Sequence, residues 1–265
     1  MENLANNQLD QPSKVAPAFD LALMLNQINA DFYAHVADSF SATRSRPWEG
    51  WNRIVELANG SGRAARVLDV ACGNLRFERF LDDELPYAPR RFTCVDSCTS
   101  LVGQLPDDVD FVEQDIVSSL LSGGLCDTVG ADFDLTVCFG FFHHVPALDL
   151  RVRLLNDLVA RTAPHGLICI SLWCFLRDTR LAVKADAATK NACERLGIER
   201  SALEPGDRFL CWQEREDVFR FSHSFDEREI ELLANSVSDS AEIIEIFNAD
   251  GKHGDLNTYL VLRKR

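Results

Sequence analysis

VLDVACGNLRF, residues 67–77, sets a carboxylate, Asp69, on an apolar run just before a turn of small residues, Ala71, Cys72 and Gly73. Strand, small-residue turn, then helix is the geometry that brings backbone N–H groups and a helix N-terminus up to a ligand. A dinucleotide's pyrophosphate wants G-x-G-x-x-G at such a turn, which is not present here. The acid beside it would repel phosphate, but could hold a cationic ligand through an ammonium group. Asp96 ends the next apolar run, where a carboxylate can bond ribose hydroxyls. Asp115 and Ile116 follow a third run, and FDLTVCFGFFHHVP makes a fourth with His143 and His144 adjacent. Adjacent histidines on a loop point apart and no third ligand is in sequence reach, so no metal is expected; one histidine is expected to line the pocket.

These residues need strands that end on one edge. RVLDVACG, RFTCVD, DVDFVEQD, FDLTVCFG and GLICISLWCF read as five short buried strands, with NLRFERFLDDEL and LDLRVRLLNDLVART as helices between them. Apolar strands separated by helices imply parallel pairing with both faces covered and right-handed crossovers, an open doubly wound α/β sheet. IIEIFN and NTYLVLRKR, separated only by a polar loop, are expected to pair antiparallel at the sheet edge. SFDEREIELLANSV precedes them as a helix, with Ser224 or Asp226 as N-cap. Upstream, Leu21, Leu25, Ile28, Phe32 and Val36 recur at helical spacing, and Trp51, Ile54, Val55 and Ala58 mark a second short helix. Residues 1–20 read as a loose tail and 21–265 as one domain, with 21–60 a helical lid and 176–222 an insertion after the fifth strand, polar and helical over 177–213.

Bulk properties bound the function. The chain has 265 residues, enough for one large α/β domain. A net charge of −14 argues against a surface generally coated with nucleic acid, though not against a local basic patch. No run approaches the roughly 20 apolar residues of a membrane span, so no membrane partner is expected. MENLANNQLDQPSKVAP lacks a basic start followed by an apolar stretch, so no secretion signal is expected. Nine cysteines scattered singly, without a CxxC pair, fit buried thiols in a reducing cytoplasm.

The set of Asp69, Gly73, Asp96, Asp115–Ile116 and the fourth-strand motif resembles the S-adenosylmethionine-dependent methyltransferases with the Rossmann-like fold. Their first motif runs hydrophobic, hydrophobic, Asp, x, Gly, x, Gly, x, Gly. This chain keeps the Asp and the middle Gly, with Ala71 and Leu75 in the outer two places. The resemblance implies a mostly parallel seven-stranded sheet with an antiparallel last strand and the N-terminal helices as lid. It implies S-adenosylmethionine bound by Asp69, Ala71, Cys72, Gly73, Asp96, Ser97, Asp115, Ile116, Cys138 and Phe139, with Tyr33 and Arg44 from the lid.

Beyond the cofactor motifs, FYAHVADSFSATRSRPWEGW is similar to the N-terminal segment of the eukaryotic tRNA methyltransferases that esterify carboxymethyl groups on wobble uridines. Tyr33, Ala37, Phe40-Ser41, Thr43-Arg44 and Pro47-Trp48 carry the match, and near the C-terminus Asp207, Trp212, Arg220, His223, Phe225 and Glu229 do so. The insertion is shorter and much less lysine-rich than in many members. A carboxylate acceptor is already ionised and needs a cation to orient it rather than a base. Arg44 is then a candidate clamp, for the substrate's carboxylate or the cofactor's own, with His143 the other candidate catalytic residue. Trp48, Phe141 and Trp173 can stack on a flat acceptor, and Arg220 and His223 are further substrate contacts. The acceptor is expected to be tRNA, for which a small zinc-binding activator subunit can be needed, or alternatively a small metabolite acid or phenol. A third reading is a silent scaffold that keeps the fold.

Overall fold

The computed structural model of the chain describes residues 15–42, 46–61, 65–86, 89–212 and 215–265. Helix α1 (Val15–Ala42) begins inside the stretch read as tail. It buries Leu25, Phe32 and Val36, while Asn26, Asn29 and Tyr33 make a polar stripe beside them. Helix α2 (Gly50–Ser61) buries Trp51, Ile54 and Ala58. The alternation then runs β1 (Arg66–Val70), α3 (Arg76–Glu84), β2 (Arg91–Asp96), α4 (Thr99–Val102), β3 (Val109–Glu113), α5 (Ile116–Ser122), β4 (Phe133–Cys138), α6 (Leu148–Arg161) and β5 (Thr162–Trp173).

Helix α7 (Thr179–Leu196) and a hairpin of β6 (Asp207–Trp212) and β7 (Arg215–His223) come next, followed by α8 (Glu227–Ser236), β8 (Ala241–Ala249) and β9 (Asn257–Lys264). The sheet order is β3-β2-β1-β4-β5-β9-β8. β1 to β5 pair in parallel, and β9 lies antiparallel between β5 and β8. Asp226 caps α8 by accepting the Glu229 N–H, which decides between the two N-caps read from sequence.

Alternate residues of each strand feed opposite cores, as a sheet covered on both faces requires. Leu68 and Val70 join Leu154, Leu158 and Leu233 under α6 and α8. Val67 joins Ile54, Phe77 and Leu81 under α2 and α3. The segment after the fifth strand differs from the helical insertion expected of it. Its second half is the β6–β7 hairpin, whose Phe209 and Phe221 pack with Leu25 and Ala192 in a third core beneath α1 and α7. The interior pattern of Phe209 and Cys211 against Phe219 and Phe221 has period two, and the charges between them hide it from a helical reading. Among the described residues no helix is long and apolar enough to cross a membrane.

Candidate active site

The parallel strands end on one edge, and there the chain encloses a cavity of about 730 Å³. That is within the range of small-ligand and cofactor pockets. Its floor is the turn after β1. Ala71 (φ 67°), Gly73 (φ 56°) and Leu75 (φ 55°) all adopt the left-handed conformation. Two non-glycine residues therefore hold the backbone shape that the outer two glycines of the motif would give. Leu75 does so fully buried, so that packing of its side chain offsets about 1–2 kcal/mol of backbone strain. A Cβ on Gly73 would meet nothing within 4 Å, so the turn is open to the cavity at that point.

Asp96 braces this turn from β2. Its Oδ2 accepts the Gly73 N–H at 2.9 Å and its Oδ1 the Cys98 N–H at 2.8 Å. Each oxygen keeps a second lone pair for hydroxyls in the cavity. Burial raises the Asp96 pKa, and the N–H groups of Cys98, Gly73 and Ser97 oppose that shift. Asp69 is buried and hydrogen-bonded to Glu78 of α3, a residue that no sequence pattern singles out. Burial first, then the charge of Glu78, holds the Asp69 carboxyl well above the usual carboxylate range. The Cys94 thiol donates to Glu78 Oε1 at 3.1 Å, while Asp69 Oδ1 and Glu78 Oε2 receive no other donor. Two acids placed this way share a proton, and Asp69 borders the cavity.

Asp115 and Ile116 reach the cavity at the start of α5. The Asp115 carboxylate caps that helix through the Ser118 N–H and also accepts Asn26 Nδ2 of α1 at 2.8 Å. Cys72, Ser97, Phe139 and Phe141 line the same space. Cys138, expected at the cofactor, does not: it is fully buried beneath the strand end, and burial pushes its thiol pKa up. Trp48 lies over Gly140, at φ 72°, where a Cβ would come within 2.9 Å of the indole Cη2. The Arg76 guanidinium packs over both Trp48 and Trp51, at 5.3 and 4.9 Å from the ring centres. Arg44 lies outside the described residues, as do the side chains of Ala37, Phe40 and Ser41.

At the opposite wall the lid and the hairpin meet. Both histidines line the cavity, and His144, the one not singled out, carries the defined contacts. Its Nδ1 lies 2.9 Å from the Phe221 carbonyl and its Nε2 2.8 Å from the Tyr33 hydroxyl. A carbonyl only accepts, so Nδ1 carries the proton and the Tyr33 O–H donates to Nε2. Burial, then the charge of Arg220, pushes the His144 pKa down to about 3. Asn29 fixes the arrangement by accepting the Phe221 N–H at 2.8 Å. His143 packs its ring on Trp173, with centroids 5.0 Å apart.

Arg220 is the unusual member of this wall. It is only 8% exposed, borders the cavity, and lies over the rings of Phe32 (5.6 Å) and Trp173 (5.4 Å). Among the described residues no carboxylate forms a salt bridge with it. His223, expected beside it as a substrate contact, is elsewhere. Its ring is buried on the far side of the hairpin, bonded to Asp207 and Glu229. Strand alternation explains the split, since residues 220 and 223 of β7 point to opposite faces.

No protein-family model matches the sequence, and no curated protein matches it either. Solved structures do match. A methyltransferase dependent on S-adenosylmethionine from Methanosarcina mazei superposes with a TM-score of 0.55 at 14% identity, over 76% of this chain and 93% of that one. The 1,6-didemethyltoxoflavin N1-methyltransferase of Burkholderia thailandensis, with its acceptor and S-adenosylhomocysteine bound, gives 0.54 at 16% identity, over 99% and 98%. The fold is the Rossmann-like methyltransferase fold. An amino pentose methyltransferase of Micromonospora echinaspora, solved with S-adenosylmethionine, shares it with a TM-score of 0.53 at 14% identity, over 87% and 97%. In this fold the open Gly73 turn and the doubly braced Asp96 suit S-adenosylmethionine.

Proposed function

We propose that the protein is an S-adenosylmethionine-dependent methyltransferase that esterifies the carboxylate of a small, flat organic acid. The observation that carries the acceptor class is Arg220. A guanidinium buried against two aromatic rings, with no counter-charge among the described residues, is costly, and an anionic ligand in the cavity offsets that cost with a bidentate pair. The state of His144 points the same way. With a pKa near 3 it cannot take a proton from a phenol or an amine at neutral pH, whereas a carboxylate has none to give.

When bound, S-adenosylmethionine supplies a methyl carbon on a sulfonium sulfur, open to in-line displacement. The chain's own residues do the positioning. Asp96 would hold the ribose hydroxyls, Asp69 the ammonium group, and Ile116 the adenine. Arg220 aims one carboxylate oxygen toward the end of β4. Phe141 and Trp173 flank the acceptor, and Trp48, seated on Gly140, keeps water out. Alignment and desolvation of this kind are the main work required in a displacement without proton transfer.

The second reading, a carboxymethyl uridine in tRNA, has the sequence resemblance in its favour and the same use for Arg220. The small acid is supported over it by the placement of positive charge. Arg208 is paired with Asp186, Arg177 is bonded to Asn248 and Thr258, and neither they nor Arg46, Arg180 and Lys184 border the cavity. The acceptors of two structural neighbours, didemethyltoxoflavin and an amino pentose, are also small. Incubation with methyl-labelled cofactor, against a metabolite extract and total tRNA in separate reactions, tests the proposal. Label is expected in low-mass acids. Label retained in tRNA alone would establish the second reading instead.

A further inference from the structure

Outside the cavity, a cluster of ionisable groups lies where the hairpin meets the body of the domain. His223, at the end of β7, directs Nδ1 to Asp207 of β6 at 2.7 Å and Nε2 to Glu229 of α8 at 2.6 Å. Glu204, before β6, comes within 3.8 Å of Nδ1. Arg151 of α6, 1% exposed, bonds Glu204, Glu229 and the Val145 carbonyl at once. Gly206 lies so close on the imidazole that a Cβ there would fall 2.6 Å from Cε1. Asp226, next to this junction, is turned to cap α8, and Arg208 beside Asp207 pairs with Asp186.

An ionised carboxylate can only accept, so an imidazole bonded to one through each nitrogen must donate through both. His223 is therefore an imidazolium. Burial works against that charge, and the bonds to Asp207 and Glu229 outweigh it and hold the His223 pKa above its ordinary value. Burial likewise would raise the pKa of Glu229, but His223 and Arg151 hold it below the usual range. Glu204, Asp207 and His223 also come close enough together to suggest a metal trio. The guanidinium and the imidazolium already supply the positive charge there, and both ring nitrogens are in use.

We infer that His223 is a positioning residue: as an imidazolium clamped between Asp207 and Glu229 it latches the β6–β7 hairpin to α6 and α8, and so keeps Arg220 aimed into the cavity. The link is short. Arg220 precedes His223 on the same strand, and the backbone of Phe221 between them holds His144 and Asn29 at the cavity wall. Loss of the proton leaves one carboxylate facing a bare nitrogen lone pair, and that side of the latch opens. A group whose pKa is raised by folding stabilises fully below its unfolded value and loses that contribution as pH rises through the folded value. The latch thus weakens on the alkaline side of the ordinary histidine range, while Asp96 and the β1 turn, in the parallel sheet, are untouched. The effect on catalysis rests on the reading of Arg220 as the acceptor's clamp; the opening of the hairpin does not.

Hydrogen exchange of the whole protein between about pH 6 and 9, expressed as protection factors, reads the latch directly. Protection of β6 and β7 is expected to fall by up to about tenfold per pH unit, the slope of a single proton, from the ordinary histidine range up to the raised pKa of His223, and to level off above it, ahead of β1 to β5. Glu229→Gln is the informative variant. Its amide oxygen can still accept from Arg151 while its NH₂ donates to a neutral imidazole, so the latch closes without the proton and the pH dependence should vanish. In wild type the KM for the acceptor should climb with pH over the same span while S-adenosylhomocysteine affinity stays level, and Glu229→Gln should flatten that climb. Hairpin protection independent of pH in wild type, or an unchanged pH profile in Glu229→Gln, would overturn the inference. If the hairpin opens as expected but Arg220→Gln leaves acceptor kinetics intact, the latch stands and the acceptor assignment fails.

Discussion

Replacing Arg220 with Gln removes the charge and the fork of donors while keeping a polar side chain of similar reach. In the free protein little is lost, because Arg220 has no ion-pair partner among the described residues and gives up only its contacts over Phe32 and Trp173. Those are worth about 1 kcal/mol each. With an acid bound, the same change deletes one half of a buried, hydrogen-bonded charge pair, which costs about 2–5 kcal/mol. At about 1.4 kcal/mol per decade, kcat/KM for the acceptor should fall by roughly 30-fold to several thousand-fold. Affinity for S-adenosylhomocysteine, bound at the other end of the cavity, should stay within about threefold, or about 0.7 kcal/mol. Arg220→Lys should fall between, since it keeps the charge and loses the bidentate geometry. Initial-rate kinetics with the identified acceptor and calorimetric titration of S-adenosylhomocysteine together separate the two ends. Unchanged kcat/KM in Arg220→Gln would refute the clamp. An equal loss of cofactor and acceptor binding would show that the guanidinium serves the cofactor instead.

Three further outcomes follow from the geometry. Asp96→Ala removes the acceptor for the Gly73 and Cys98 N–H groups as well as the ribose contacts, and hydrogen bonds to a charged group are worth about 1.5–3 kcal/mol. Calorimetry should therefore show cofactor affinity at least about tenfold weaker, with circular dichroism unchanged. Ala71→Val puts a branched side chain at φ 67°, costing about 1–3 kcal/mol, and should lower Tm by several degrees in a thermal melt. Gly140→Ala drives a methyl against Trp48 at a left-handed backbone position, so tryptophan emission should shift toward the red and acceptor KM should rise.

The sheet and the cofactor end of the cavity were legible because they are local. Each strand ends in a short apolar run followed at once by its polar residue, so Asp69, Asp96 and Asp115 could be placed from neighbours in sequence. The acceptor end is built from distant pieces. Tyr33, His144 and Phe221 meet across three elements, and only the polar stripe of Asn26, Asn29 and Tyr33 on an otherwise apolar helix could have flagged the lid's inner face. Asp250 and Gly251 of the β8–β9 loop and Asn257, the first residue of β9, also border the cavity. Asp250 serves there by accepting the Gly50 N–H and the Asn257 amide, contacts with no local pattern to announce them. His223 and Arg220 read as one substrate-binding pair because they are close in sequence. The period of strand β7 sends them to opposite faces.

The atom that receives the methyl group decides the acceptor class. Mild alkali hydrolyses a methyl ester and leaves methylated nitrogen and phenolic ethers intact. The decisive measurement is therefore alkaline treatment of the labelled product formed by the wild-type protein, with volatile label collected. Release of the label as methanol, together with recovery of a small carboxylic acid, is the predicted result. Label that stays bound through the same treatment would place the methyl group on another kind of atom, and would contradict the role given to Arg220.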